Sequence, residues 1–421
     1  MRLLPPWLTA AVAALALSSS GLAEGAQVRP PDEDADEEDM QAVRAALQAS
    51  RPAPQPTPPV ALLPALHPTA DGLPELGLVA ELVASYGTGR ARTASWPLSL
   101  AELPVELPPG VAPGGTVRLE LSLQHVVDGW FRLDVFALAG AGGTSLLEAY
   151  ATTRALPLRL QLRGGLLLHR FGIENARHPH ALSLPVRPVA LLRAFGDPGG
   201  GGLGLEASFR APLPWLLEVS AAVLSPLGGE AGRGRELPAG ELGLLDLLYV
   251  VTLKQAVWPQ RGLGVSLGGS AALGPNPTGR ANRTDVYGLD AALLWRPTPG
   301  LRLGLAAEWL WRRQQVPGGL QQEAGGYCAL SAAVRLGGMV LAGAVRYEHL
   351  DEAQHPGAAS RHRLAAGLDL ELGRGSLLRG GGMVDLDPAD GGLRGWGGLL
   401  GLQLRLGPHG PRGGDAHGLL R

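Results

Sequence analysis

The sequence predicts an all-β protein: a transmembrane antiparallel β-barrel of about 16 strands with one loop folded into its interior. Three observations lead there. From about residue 76 to residue 407 the chain alternates apolar and polar residues with period two, as in Val117-Arg118-Leu119-Glu120-Leu121-Ser122-Leu123-Gln124. Such alternation gives a strand one apolar and one polar face. The polar face carries charge in strand after strand, as a wet lumen would, whereas a soluble sandwich seldom grows this large. Connections also alternate between short (296–300, 336–339, 373–376) and long (225–243, 274–283, 312–325, 350–360, 386–394), the habit of outer-membrane barrels. Composition agrees: 62 Gly and 36 Pro among 421 residues disfavour a helical protein, while 45% hydrophobic residues disfavour a disordered one.

Taken in order, residues 1–23 read as a secretory signal peptide. Arg2 is the charged start, Trp7 to Leu17 the apolar run, and Ser18 to Ala23 the small-residue cleavage region. Residues 24–75 form an acidic and proline-rich segment, expected in the periplasm. Seven acids lie between Asp32 and Asp39, and an extended stretch runs from Arg51 to Pro59. Strands are expected near 76–86, 117–126, 130–139, 146–153, 158–168, 202–210, 215–224 and 244–254. The second eight are expected near 262–273, 284–296, 301–311, 326–336, 338–349, 361–373, 376–385 and 395–406. The even number places both barrel ends on the periplasmic side. Aromatics near strand ends on the apolar register (Trp295, Trp309, Trp311, Tyr347, Trp396) suit an interfacial girdle. Residues 408–421 form a C-terminal tail. The lone cysteine, Cys328, excludes an internal disulfide and a cysteine-based zinc module.

The connection 169–201 is unlike the others. It is too apolar to extend into water, with Phe171, Ile173, Val186, Val189, Leu191, Leu192 and Phe195, and is expected to pack inward and narrow the pore. Its Arg170, Arg177, Arg187 and Arg193 outnumber Glu174 and Asp197, so the constriction is expected to favour anions. The competing reading has these arginines pairing with carboxylates and pinning the loop.

The run Arg163-Gly164-Gly165, then Phe171-Gly172, Asn175, His178-Pro179-His180, Arg187-Pro188 and Arg193-Ala194-Phe195-Gly196, with Leu205 to Trp215 beyond, resembles a family of porin-like bacterial outer-membrane barrels. These are often labelled porins or zinc-regulated TonB-dependent outer membrane receptors and are distantly similar to phosphate-selective porins. The resemblance implies a transport barrel, with Phe171, Gly172, Asn175, His178, Pro179 and His180 as a loop motif.

Other motifs are weak. His178 and His180 could offer imidazoles to a metal, with His169 nearby, but a site needs three or four placed ligands, so no metal or cofactor is expected. Gly264-Val265-Ser266-Leu267-Gly268 spells a hydrolase elbow, yet it lies within strand alternation rather than at a strand-to-helix turn. The expectation is therefore a non-enzymatic channel of the bacterial outer membrane, passing small hydrophilic solutes, anions among them, by diffusion. The alternatives are a receptor or metal-linked uptake barrel with an occluded lumen and, behind that, an outer-membrane hydrolase. Expected partners are membrane lipid and small solutes, with a homotrimer open to such a barrel and no nucleic acid.

Overall fold

A computed structural model describes residues 75–87, 112–127, 129–140, 143–154, 156–184, 186–197, 199–226, 243–279, 281–351, 360–372, 375–386 and 393–407. The expected signal peptide, nearly all of the acidic and proline-rich segment, the C-terminal tail and most of the loops at 225–243, 350–360 and 386–394 lie outside these residues. Sixteen strands follow one another. They are β1 (Glu75–Gly87), β2 (Ala112–Val127), β3 (Phe131–Gly140), β4 (Gly143–Thr153), β5 (Leu160–Leu168), β6 (Gly201–Arg210), β7 (Leu216–Pro226) and β8 (Leu248–Gln260). Then come β9 (Leu263–Pro275), β10 (Arg283–Thr298), β11 (Leu301–Val316), β12 (Gly319–Leu336), β13 (Met339–Asp351), β14 (Arg361–Leu372), β15 (Ser376–Leu386) and β16 (Leu393–Leu406). Each pairs antiparallel with its neighbours, and β1 pairs with β16 from Leu78↔Leu406 to Gly87↔Gly397. The barrel is closed and has no free edge.

Alternation determines the two faces. In β2 Glu120 and Ser122 are 3% and 2% exposed and face inward, while Leu119 and Leu121 are 40% and 54% exposed and face outward. The same split gives outward Leu203 and Leu205 in β6, Val251 and Leu253 in β8, and Leu400, Leu402 and Leu404 in β16. An outer wall of leucine and valine around a fully paired backbone is what a bilayer demands of a spanning sheet. The described residues contain no helix long and apolar enough to cross a membrane.

Exposed aromatics form two rings. Trp130, Trp215, Trp258 and Trp295 lie at the short-turn end, and Tyr287, Tyr347 and Trp396 toward the long-loop end. Trp309 belongs to the second ring but is covered, stacked on His349 at 5.9 Å and packed edgewise against Trp311.

Two sequence expectations need correction. The long loop at 312–325 is instead a continuation of the β11–β12 hairpin, which pairs out to Val316↔Gly319. Arg312 reaches across to Glu323 and along its strand to Gln314, so lumen-facing polar residues carry the ladder through what read as loop. Gly318, at φ +82, supplies the left-handed position that closes the tight turn. The fifth strand begins at Leu160 rather than 158, because Leu158 and Arg159 both sit at positive φ in a 3-10 turn. Arg159 therefore lies in a turn and not on the lumen face.

The topology makes a direct forecast. In a Cys328→Ala background, a cysteine at Gly319 should be labelled in intact cells by an impermeant maleimide, whereas one at Gly338 should need permeabilised cells. The opposite pattern would invert the barrel.

Candidate functional site

The site is the loop between β5 and β6. Its two ends are tied together before it enters the lumen. The His169 N–H donates to the Gly200 carbonyl at 3.1 Å. Asn175 Nδ2 donates to the carbonyls of His169 (2.8 Å) and Gly200 (3.0 Å), while the Gly200 N–H donates to Asn175 Oδ1 at 2.8 Å. A side chain with paired donors and an acceptor is needed here, which is why an asparagine stands at 175. Arg187 is buried and donates to the carbonyls of Glu174, Asn175 (3.3 Å) and Arg177 (2.6 Å), capping the first loop turn from inside. Burial pushes its guanidinium pKa down, against the nearby charges of Asp197 and Glu174. Gly172 has φ +61, and a Cβ there would overlap the Glu308 carboxylate. The loop can approach the wall this closely only with glycine.

One side of the loop is apolar. A short helix, α1 (Val189–Phe195), buries Val189, Leu191, Ala194 and Phe195. They join Phe171 and inward residues of the wall, among them Leu224, Leu248, Val286, Leu310, Tyr327 and Leu350, in one cluster. Phe171 and Phe195 meet edge to face at 4.8 Å. The lumen on this side is filled as a protein core would be.

The other contacts are polar and reach around the wall. From the loop backbone, Gly172 N–H donates to Ser270 Oγ (3.2 Å), Ile173 N–H to Glu308 (3.1 Å) and Val189 N–H to Glu348 (2.6 Å). The carbonyls of Gly172, Val186 and Leu182 accept from Lys254 (2.9 Å), Arg346 (2.6 Å) and Arg379 (3.2 Å). Arg170 sits between Glu206 (3.0 Å) and Glu218 (2.7 Å), and Arg193 pairs with Glu323 at 2.7 Å. Buried carboxylates and guanidiniums are costly unless paired, and the loop and wall supply each other's partners.

Near β2 and β4 the motif His178-Pro179-His180 meets two wall carboxylates. His178 Nδ1 lies 2.5 Å from Glu120 and its Nε2 lies 2.8 Å from Glu148. His180 Nδ1 lies 2.8 Å from the second oxygen of Glu120. Burial disfavours charge on His178, but the hydrogen bonds and charges of Glu120 and Glu148 outweigh it and push the ring up to about 10.

Beneath the loop, toward the short-turn end, lies a cavity of about 440 Å³ bounded by the loop segment 174–183 and by strands β10 to β16. Its charged lining is Glu174, Arg177, Arg302, Asp369, Glu371, Arg379 and Arg405, with His180 at its edge. Arg177 pairs with Glu174 at 2.9 Å and Arg379 with Asp369 at 2.8 Å.

The four loop arginines thus occupy different places. Arg177 borders the cavity; Arg170 is held by wall acids; Arg187 is internal to the loop; and Arg193 pairs with Glu323 while its side chain stays 41% exposed. The motif residues Phe171, Gly172, Asn175, His178, Pro179 and His180 all lie in the folded loop and are buried. His169 bonds Asn175 and stands apart from the other two histidines. Ser266 lies in mid-strand in β9, opposite Ala256 and Ala292, with no elbow around it. Sequence reasoning missed the wall partners Glu148, Glu323 and Glu348. Glu323 falls in the stretch read as a long connection, and nothing local tied Glu148 of β4 or Glu348 of β13 to the loop.

A closed 16-strand barrel with a lipid-facing apolar wall and a loop folded across its lumen is the architecture of outer-membrane porins. No family model matches the chain. It is 30% identical over 215 residues to an uncharacterized protein of Aquifex aeolicus (strain VF5), a match covering 47% of this chain and 45% of that one. The chain thus spans under half the length of that relative. Among solved structures, the fold is similar to the anion-selective porin from Comamonas acidovorans (TM-score 0.51, 13% identity, 79% of this chain and 99% of that one). It is likewise similar to Pseudomonas putida OprB (TM-score 0.51, 9% identity, 79% and 94%). A third is a loop-deleted OmpT, an outer membrane protein of Vibrio cholerae (TM-score 0.51, 8% identity, 80% and 100%). At these identities the likeness is one of fold.

Asn175→Ala removes three hydrogen bonds that join the loop ends, a loss of roughly 2–4 kcal/mol at about 1 kcal/mol each. The barrel should persist, with heat-dependent gel mobility retained. Cleavage at Arg177 or Arg193 by an arginine-specific protease should speed up at least tenfold. Unchanged protection would mean that Asn175 does not hold the loop.

Proposed function

We propose that the protein is a channel of the bacterial outer membrane for the passive diffusion of small hydrophilic solutes, with a mild preference for anions. The observation that carries this reading is the charged cavity enclosed by the barrel beneath the loop. Its lining carries four arginines, Arg177, Arg302, Arg379 and Arg405, against the three acids Glu174, Asp369 and Glu371, a small positive excess. A small excess in a confined aqueous space raises the local anion concentration, because low-dielectric walls focus the field. In this reading Arg177 helps filter solutes, while Arg170 and Arg187 act as fasteners and Arg193 secures α1 to β12.

A second reading is favoured by one specific observation. The apolar cluster around α1 fills part of the lumen, as expected of a receptor or uptake barrel that opens only when its loop moves. Conductance separates the two. In planar bilayers the wild-type barrel should give steady single-channel steps with a reversal potential favouring anions. Arg302→Gln with Arg405→Gln should move that potential toward cations while conductance stays within about twofold, since their charges supply the excess field. A folded barrel that stays silent would rule out the open channel, and a cation preference in the wild type would rule out the anion filter.

A further inference from the structure

We propose that Glu120, His178 and His180 form a binding site for a divalent transition-metal cation where the loop meets the barrel wall. Sequence spacing offers two imidazoles; the fold adds a carboxylate from β2. One ligand atom from each of the three residues lies within 4.8 Å of the other two, and all three residues are buried. Two imidazoles and one carboxylate are the donor set that suits zinc, cobalt, nickel or copper rather than calcium or magnesium.

The geometry is close to what such a cation requires. His178 Nδ1 and His180 Nδ1 now lie 2.5 and 2.8 Å from the two oxygens of Glu120. With metal–ligand bonds of roughly 2.0–2.1 Å, tetrahedral donors stand roughly 3.3 Å apart, so the Glu120 carboxylate must draw back slightly from both rings. The 3-10 turn Pro179–Ala181 presents the two rings with their centroids 5.8 Å apart and nearly perpendicular.

A supporting shell is already present. Glu148 lies 2.8 Å from His178 Nε2, so Nδ1 can face the metal while Nε2–H donates to a carboxylate. Phe136 packs its ring edgewise on His178 at 4.6 Å and fixes its orientation. His180 borders the cavity beneath the loop, which gives the ion a path in and leaves a fourth position for water or a solute group. The cation would take the place of protons that hold these groups together without it.

The test uses the full-length, tag-free protein folded in detergent, stripped with EDTA and titrated with Co²⁺ alone. One Co²⁺ per chain is expected, with the intense visible bands of a four-coordinate ion. His180→Gln and His178→Gln should each weaken binding at least tenfold, and Glu148→Gln by about tenfold at unchanged stoichiometry. The outward pair His349 and His362, with ring centroids 4.9 Å apart, is a competing site among the described residues. A double His349→Gln, His362→Gln variant should bind as the wild type does. Zinc-edge X-ray absorption of the wild type, which does not depend on any variant folding, should show two imidazole ligands. Absence of stoichiometric Co²⁺ binding, binding lost in the His349/His362 variant but kept in His180→Gln, or an imidazole count other than two would overturn the site.

Discussion

In a hydrocarbon surround no water is available to a backbone N–H or C=O, so a sheet there must leave none unpaired. Every later feature of this molecule depends on how that demand is met. Pairing of β1 with β16 completes the ladder, and strict period-two alternation then follows from the closed wall. One face must be leucine and valine because it meets lipid; the other is released to be polar because it meets the interior. The charged side chains that give the lumen its chemistry are there because the outer face accepts none.

The interior solves a second problem with the same residues. A loop crossing the lumen brings its own backbone groups, and these need partners as much as a strand does. The wall supplies them from side chains: Glu308 and Glu348 accept loop N–H groups, while Lys254, Arg346 and Arg379 donate to loop carbonyls. Several of these wall groups are also ion-paired to neighbours, as Arg346 is to Glu348 and Lys254 to Asp290. Charge that would otherwise line a wide aqueous pore is largely committed to positioning the loop. What remains toward solvent is the smaller, nearly balanced set around the cavity.

Much of the barrel was legible in the chain. Alternation is a local signal, so strands such as β9 and β14, and the even strand number, could be read directly. Apolar residues in a long connection likewise pointed inward. The β11–β12 hairpin was misread because Gln314, Gln315, Gln321 and Gln322 look like loop, whereas in the structure they extend paired strands beyond the apolar belt. The site itself was only half legible. His178, His180 and the loop arginines stand out by their spacing, but Glu120 and Glu148 do not. They are brought to the loop by barrel closure, a long-range event that leaves no mark within a short window of sequence.

The connections of the loop also constrain the order of assembly. His178 reaches back 58 residues to Glu120 on β2, and the Leu182 carbonyl is held by Arg379, 197 residues farther on, on β15. Contacts that distant in sequence form late, because the intervening chain must first be gathered. The loop can be seated only when early and late strands already stand opposite each other. Until then the apolar helix and the unpaired outer strands are exposed together, the state most prone to aggregate. A seated loop is therefore a record that the circle has closed.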